Sequence, residues 1–184
     1  MENLRTELKI PRERIAVLIG KDGAIKSEIE ENTKTNLEID SKEGDIFITG
    51  PDGLGIYTAK EIVTAIGRGF NPEIAMLLLK VDYAFENLSL QEYMGKSKDA
   101  IQRVKGRIIG SEGKTRKHIE ELTETSISVF GKTVSIIGEI QSVIVARRAV
   151  EMLIEGSTHS SVYKWLERKH RELKRAEAAE RWQK

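Results

Sequence analysis

"IGSEGKTRKHIEELTET" spans residues 109–125, and "IGKDGAIKSEIEENTKT" spans residues 19–35, at an offset of 90 residues without a gap. The two stretches are identical at 8 of 17 positions, where both have Ile, Gly, Gly, Ile, Glu, Glu, Thr and Thr. This offset is too long for a solenoid repeat and indicates a duplicated domain. Each copy carries a Gly-x-x-Gly loop, so the duplication includes a candidate binding element.

The pattern around the first copy predicts the order β-α-α-β-β-α. Alternating apolar residues predict a strand over residues 4–10 that Pro11 ends. A short helical turn leads to the loop, and an amphipathic helix carrying Ile25 and Ile29 follows it. A hairpin over residues 37–48 and a longer helix over residues 56–66 complete the first copy.

The second copy repeats this order after a linking helix. Asn71 is predicted to cap that helix, with Pro72 at its first position. Ser97 is predicted to cap a helix that runs through Val104. The remaining predicted elements are a strand near 83–85, a helix over 114–122, strands at 127–129 and 134–137, a turn at 131 and a helix over 140–154.

The fold class is therefore α+β, with three predicted segments: a first domain at residues 1–75, a second at 76–156 and a basic helical tail at 157–184. The tail carries eight Lys and Arg against four Asp and Glu, with a sparse apolar stripe. We expect its first half to dock on the second domain and its end to be solvated.

Charge is unevenly distributed, although the formal net charge is only +1. Residues 96–117 hold eight basic residues against two acidic ones, a local charge of +6. A basic surface of this kind attracts polyanions. The eight are Lys96, Lys98, Arg103, Lys105, Arg107, Lys114, Arg116 and Lys117.

Composition argues against several kinds of site and of protein. The chain has no cysteine and three scattered histidines, so we expect no disulfide, metal or cofactor. The polar start argues against a signal peptide, and no apolar run approaches the roughly 20 residues that a bilayer requires. We expect a cytoplasmic protein without a membrane segment. No catalytic cluster stands out, which favours a binding protein over an enzyme.

The second loop has two interpretations. Gly113, Lys114 and Thr115 match the end of a nucleotide-binding P-loop, whose first glycine would stand at Ile108. The glycines here are separated by two residues, too few to wrap a nucleotide's phosphates, and the first copy lacks the Gly-Lys-Thr. By contrast, a Gly-x-x-Gly turn leaves no Cβ in the way of an approaching backbone, and the next helix offers free N–H groups. This favours a grip on a nucleic acid.

Ile-Gly-x-x-Gly, with Ile six and Thr ten positions later, resembles the KH domain of type I topology. The resemblance implies two tandem domains that bind single-stranded RNA, with bases in a neighbouring apolar groove. Ile109, Ile119, Ile127 and Val129 would be core or groove floor. KH domains generally have an apolar residue three positions after the second glycine, where this chain has Lys26 and Arg116.

"IGRGF" at residues 66–70 and "GSTHSSVYKWLERK" at residues 156–169 narrow the resemblance. They are similar to the archaeal two-KH-domain ribosomal RNA-processing proteins, counterparts of the eukaryotic partner-of-Nob assembly factor. That family implies binding near the 3′ end of small-subunit rRNA. It also implies a protein partner, either a PIN-domain endonuclease or another small-subunit assembly or translation factor.

We predict the main RNA site in the second domain, because its loop lies in the basic stretch. The acidic first domain is a candidate protein-binding face. Three alternatives stay open: a general KH adaptor in translation or RNA decay, an NTPase using Lys114, and a pure interaction scaffold. The predicted RNA-binding residues are Lys105, Arg107, Ile109, Gly110, Ser111, Glu112, Gly113, Lys114, Arg116 and Lys117, with Gly20, Lys21, Asp22, Gly23 and Lys26 in the first domain.

Overall fold

The structure is a computed structural model that describes residues 4–182. The chain divides into two compact units, Met1–Phe85 and Glu86–Lys184. The predicted domain limits at residues 75 and 156 stay predictions. Within residues 4–182, no helix is both long enough and apolar enough to cross a membrane.

The first unit contains one three-stranded antiparallel sheet in the order β1-β3-β2. Its elements are β1 (Leu4–Lys9), α1 (Ile15–Ile19), α2 (Ala24–Thr33), β2 (Asn36–Ile39), β3 (Asp45–Gly50), α3 (Gly53–Gly67) and α4 (Pro72–Ala75), with single 3-10 turns at Arg12–Arg14, Lys21–Gly23 and Met76–Leu79. Apolar residues of the sheet and helices meet in a core that includes Ile29, Leu37, Ile48, Ile62 and Ile66, all fully buried.

The second sheet repeats this arrangement, in the order β4-β6-β5. Its elements are β4 (Tyr83–Ser89), α5 (Leu90–Met94), α6 (Lys98–Ile109), α7 (Lys114–Thr123), β5 (Ser126–Phe130), β6 (Thr133–Glu139), α8 (Ile140–Ile154) and α9 (His159–Trp182), with a 3-10 turn at Ser111–Gly113. The two-residue turn at Gly131 and Lys132 pairs Phe130 with Thr133. The predicted order β-α-α-β-β-α is confirmed in both copies, and the second copy adds the short helix α5 after its first strand.

The shared residues of the repeat form the same hydrogen bonds in each copy. The Thr33 hydroxyl donates to the Ile29 carbonyl and pairs with the Thr35 hydroxyl at 2.8 Å. The Glu30 carboxylate accepts the Leu37 N–H at 2.7 Å. Glu120, Thr123 and Thr125 make the equivalent contacts in the second copy. These identities therefore fix the turn from the second helix into the following strand.

The ends of α4 and α6 differ in part from the prediction. The Ser97 hydroxyl caps α6 by accepting the Ala100 N–H, as predicted. That helix runs to Ile109 and not only to Val104, because Ile101, Val104 and Ile108 continue one buried face. Asn71 occupies the N-cap position and Pro72 the first position of α4, as predicted, but the Asn71 side chain makes no capping hydrogen bond. Its backbone carbonyl accepts the N–H groups of Ile74 and Ala75 instead.

Gly55 allows α3 to pack closely on the end of α2. In Gly55→Ala, the added Cβ would lie 2.3 Å from the Thr33 carbonyl oxygen, a backbone atom that cannot rotate away. We expect the free energy of unfolding to fall by about 2 kcal/mol, the usual cost of overpacking. Urea unfolding measures this change.

Gly53→Ala is the matched control in the same helix, since a Cβ there meets no atom within 4 Å. Its stability should equal or slightly exceed that of the natural chain. Equal stability of the two variants would contradict the close packing of α2 and α3.

Candidate nucleic-acid interface

The two Gly-x-x-Gly loops have the same backbone conformation. The first glycines, Gly20 and Gly110, have φ of 73° in both loops. The second glycines, Gly23 and Gly113, have φ of 77° and 74°. These values lie in the left-handed half of conformational space that glycine enters without strain. Both loops thus present one backbone shape at the start of the following helix.

The first glycine of each loop is required by a neighbouring side chain. A Cβ on Gly110 would lie 2.2 Å from Thr115 Oγ1, and one on Gly20 would lie 2.5 Å from Ile25 Cγ1. The second glycine differs, because a Cβ on Gly23 meets nothing within 4 Å. The first glycine therefore allows close packing inside the loop. The second allows the left-handed backbone conformation and leaves the outer surface of the loop open.

The position before the second glycine carries an acidic residue in each loop. Asp22 and Glu112 have φ of 54° and 55°, an uncommon conformation for residues with a Cβ. Glu112 lies 3.9 Å from Lys114, and their side chains are 84% and 76% exposed. An ion pair in such contact with water contributes little, so Lys114 stays available to another anion.

The predicted basic residues of the second domain divide into two groups. Lys114 and Lys117 are exposed beside the loop, and Lys105 is half-buried on α6. The Arg116 guanidinium donates to the Ile127 carbonyl at 3.2 Å and lies 4.0 Å from Glu120. Arg116 thus extends along the edge of β5, at the position where KH domains generally have an apolar residue. Lys26 lies 3.8 Å from Glu30 in the first copy.

Arg107 faces inward. Its Nε donates to the Leu153 carbonyl at 3.3 Å, and its Nη2 donates to the Ser157 carbonyl. Both acceptors belong to the end of α8 and the residues after it. Arg14 does the same in the first unit, where it donates to the Ile66 and Phe70 carbonyls, each at 2.8 Å. Both arginines hold a helix end, which the sequence pattern did not indicate.

Two of the four predicted apolar positions are interior. Ile119 is fully buried and Ile127 is 2% exposed, which places both in the core. Ile109 and Val129 are half-buried, so both leave part of an apolar side chain accessible.

An open hollow of about 500 Å³ adjoins the second loop. Three cationic side chains and a histidine ring lie on its walls, and no carboxylate from the described residues lines it. A hollow of this composition favours an anionic ligand. The lining residues are Arg103, Gly106, Arg107, Gly110, Ser111, Lys114, Thr115 and His159.

Helix α9 was predicted from the sequence, but its polar contacts with the second domain were not. Its first half packs on α7 and α8, with Val162 and Leu166 fully buried, which confirms the predicted docking. Its polar contacts were not foreseen. The His159 ring bonds to the Arg107 carbonyl at 2.9 Å, the Tyr163 hydroxyl donates to Thr115 Oγ1 at 3.0 Å, and the His170 ring bonds to the Leu122 carbonyl at 2.8 Å.

The histidines do not form a metal site. His118 packs edge-on against the Tyr163 ring with centroids 4.5 Å apart, and the His159 and His170 rings bond to backbone carbonyls of α6 and α7 respectively. Residues 4–182 contain no group of three or more His, Cys, Asp or Glu side chains placed to hold a metal ion.

Comparison with known proteins agrees with this geometry. A model described as a eukaryotic type KH domain (type I) matches residues 84–171, and a KH-domain model matches residues 5–65. A KH domain-containing protein of Methanocaldococcus jannaschii is 47% identical over 173 residues, covering 92% of this chain and 75% of the relative. The first match continues into α9, in keeping with its packing on the second unit.

Two further proteins are similar. The pre-rRNA-processing protein PNO1 of Chaetomium thermophilum is 33% identical over 107 residues, covering 56% of this chain and 40% of that protein. A crystal structure described as an a/eIF2alpha-aDim2p-rRNA complex from Pyrococcus horikoshii contains a chain that is 46% identical, with a TM-score of 0.85. The match covers 92% of this chain and 96% of that one.

The inward position of Arg107 leads to a stability prediction. In Arg107→Met, the two carbonyls at the end of α8 lose their charged donor. We expect the free energy of unfolding to fall by about 2 kcal/mol, because hydrogen bonds from charged groups contribute more than neutral ones. Thermal and urea unfolding of the purified protein measure the loss.

Lys105→Met is the control. It removes the same charge two residues away, and Lys105 makes no hydrogen bond or ion pair with the described residues. Its stability should match that of the natural chain. If both variants unfold alike, Arg107 has no structural role.

Proposed function

Because the chain belongs to the family of two-KH-domain proteins that includes archaeal Dim2p and eukaryotic PNO1, we propose that it is a single-stranded RNA-binding factor whose second domain provides the main site. The observation that carries this proposal is the second Gly-x-x-Gly loop, which has the conformation of the first loop but adjoins a cationic hollow without carboxylates. The chain acts by binding, and the proposal includes no catalytic step.

The loop would grip the strand through its backbone. Gly113 has an open outer surface that lets a sugar-phosphate chain approach closely. The first turn of α7 offers N–H groups and a positive dipole end to phosphate. Lys114 and Lys117 extend from that turn into solvent and would neutralise phosphates on either side of the loop.

Bases would lie on the other side of α7, in a trough beside β5 to which the half-buried Ile109 and Val129 would contribute. Arg116 replaces the usual apolar floor there with a planar guanidinium already held by the Ile127 carbonyl. A fixed guanidinium can stack on a base or donate hydrogen bonds to its edge. We propose that Arg116 contributes base contacts and that Lys105 and Ile109 border the same trough. Arg107, in contrast, would support the site from within.

The first loop would bind RNA more weakly. Lys21 stands beside Asp22 in this loop, and Lys26 is close to Glu30. The second loop has similar acidic neighbours, but residues 12–34 balance five basic against five acidic residues, whereas residues 96–117 carry a local charge of +6. We propose that the first unit mainly contacts a protein, for which a PIN-domain endonuclease or a translation factor is a candidate.

Two similar proteins support ribosomal RNA as the ligand. The Chaetomium thermophilum protein is named for pre-rRNA processing, and the Pyrococcus horikoshii complex includes rRNA and a/eIF2alpha. We propose that this chain binds the 3′ region of small-subunit rRNA during assembly and 3′-end processing. The presence of a translation factor in that complex favours, as a second candidate, a general KH adaptor in translation.

Acidic replacements in the second loop should remove RNA binding. The double variant Ser111→Asp/Glu112→Asp adds a second carboxylate where phosphates would pass and shortens the one already present, and we expect affinity for a single-stranded RNA to fall by at least about tenfold. Lys21→Asp is the matched control, because it creates the same Asp-Asp pair in the first loop. It should change the affinity by less than about threefold. Fluorescence anisotropy measures both, and unchanged affinity of the double variant would favour the scaffold alternative.

Crosslinking in cells, followed by sequencing of the bound RNA, tests the identity of the ligand. We expect enrichment at the 3′ end of small-subunit rRNA, reduced in the Ser111→Asp/Glu112→Asp variant. Reads spread over many messenger RNAs, without that enrichment, would support the adaptor and refute the assembly function.

A further inference from the structure

Helix α9 contacts the second loop through one face. His159, Tyr163 and His170 are four and seven residues apart, so they lie on the side of α9 that also carries the buried Val162 and Leu166. Their partners lie at the end of α6, at the start of α7 and at the end of α7. The helix therefore spans the two helices that hold the loop between them.

The hydrogen bond of Tyr163 reaches Thr115, the residue that packs against the first glycine of the loop. Thr115 is 4% exposed, and its Oγ1 accepts a hydrogen bond from the Tyr163 hydroxyl. The same Oγ1 occupies the space that a Cβ of Gly110 would take. Gly110, Thr115 and Tyr163 thus form a direct line of contact from the first loop glycine to α9. The Tyr163 ring is fixed in turn by the edge-on ring of His118.

In the first copy, the space beside the first loop glycine is filled without a hydrogen bond. Ile25 stands at the position of Thr115, and its Cγ1 fills the space beside Gly20. An aliphatic side chain needs no polar partner, whereas a buried threonine hydroxyl left without one is costly. Among residues 4–85, no helix equivalent to α9 lies against the first loop. The same loop conformation is therefore supported by a hydrogen-bonded threonine in the second copy and by an isoleucine in the first.

We propose that Tyr163 is a positioning residue for RNA binding: its hydroxyl holds Thr115, and Thr115 holds the second loop in the conformation that grips the strand. This inference rests on the proposed function of that loop. It makes α9 part of the RNA site without requiring any α9 side chain to touch RNA. It also explains why the substitution of isoleucine by threonine in the second copy occurs together with a docked C-terminal helix.

The test compares four variants of the intact chain: Tyr163→Phe, Thr115→Val, Thr115→Ile with Tyr163→Phe, and Tyr93→Phe. Affinity for a single-stranded RNA is measured by fluorescence anisotropy, and amide hydrogen exchange of Gly110 to Gly113 is measured without RNA. Tyr93→Phe is the matched control, because it removes a hydroxyl that donates to Glu151 at 3.2 Å in the same unit but away from the loop. Thermal unfolding verifies that each variant folds.

We expect Tyr163→Phe and Thr115→Val to weaken RNA binding about fivefold, the factor that one lost hydrogen bond gives, and to speed exchange in the loop. Thr115→Ile with Tyr163→Phe recreates the apolar support of the first copy, so both measurements should return toward the natural values. Tyr93→Phe should change neither. A structural role confined to stability would not predict rescue by the residue that the first copy uses.

Three results would overturn the inference. Equal behaviour of Tyr163→Phe and Tyr93→Phe would show that the hydroxyl does not support the loop. Weaker RNA binding with unchanged loop exchange and no rescue would mean that Tyr163 contacts RNA directly. A natural chain that binds no RNA would refute the proposed function and this role with it, while loop exchange would still show whether Tyr163 orders the loop.

Discussion

The contact between the first glycine of each loop and the side chain two residues after the second glycine sets the rest of the site. Gly110 and Thr115, like Gly20 and Ile25, lie closer than any Cβ would allow. This contact folds the loop back onto the first turn of the following helix. It thereby sets the angle at which the two helices meet and turns the loop's outer surface, with the open second glycine, toward solvent. Without it, the glycines would form a flexible linker between two helices.

The two copies share the residues that fix the backbone around the loop but differ in the side chains near its surface. The residues identical in both copies, such as Glu30 and Glu120, close the turn from helix to strand through side-chain hydrogen bonds to the backbone. Their identity is explained by folding. The residues that differ carry the proposed functional contrast: the loop of the second copy adjoins a cationic hollow, whereas basic and acidic residues are equal in number around the first loop, over residues 12–34. The shared motif therefore gives both loops the same backbone conformation, while the residues around each loop determine its affinity for a ligand.

The element order and both loops could be predicted from sequence because their signals are local. Apolar periodicity, the Ser97 cap and the glycine pairs each depend on residues within a few positions of one another. The role of Arg107 could not be predicted this way, since its acceptors lie 46 and 50 residues along the chain. Helix α6 runs past its predicted end at Val104, because Ile108 continues the buried face. The contacts of His159, Tyr163 and His170 depend on tertiary docking in the same way.

The same long-range contacts change how the basic stretch should be understood. Eight cations in 22 residues suggest one dense patch, but the structure commits Arg107 to carbonyls at the end of α8 and holds Arg116 along β5. Fewer of the eight are left beside the loop to neutralise phosphates than the sequence count implies, and affinity that comes from phosphate contacts scales with the number neutralised. With a net charge of only +1 on the chain, long-range attraction is weak as well. In the proposed site, RNA binding then depends on how well the loop backbone and the exposed lysines are positioned, so the side chains that support the loop are as important as its charges.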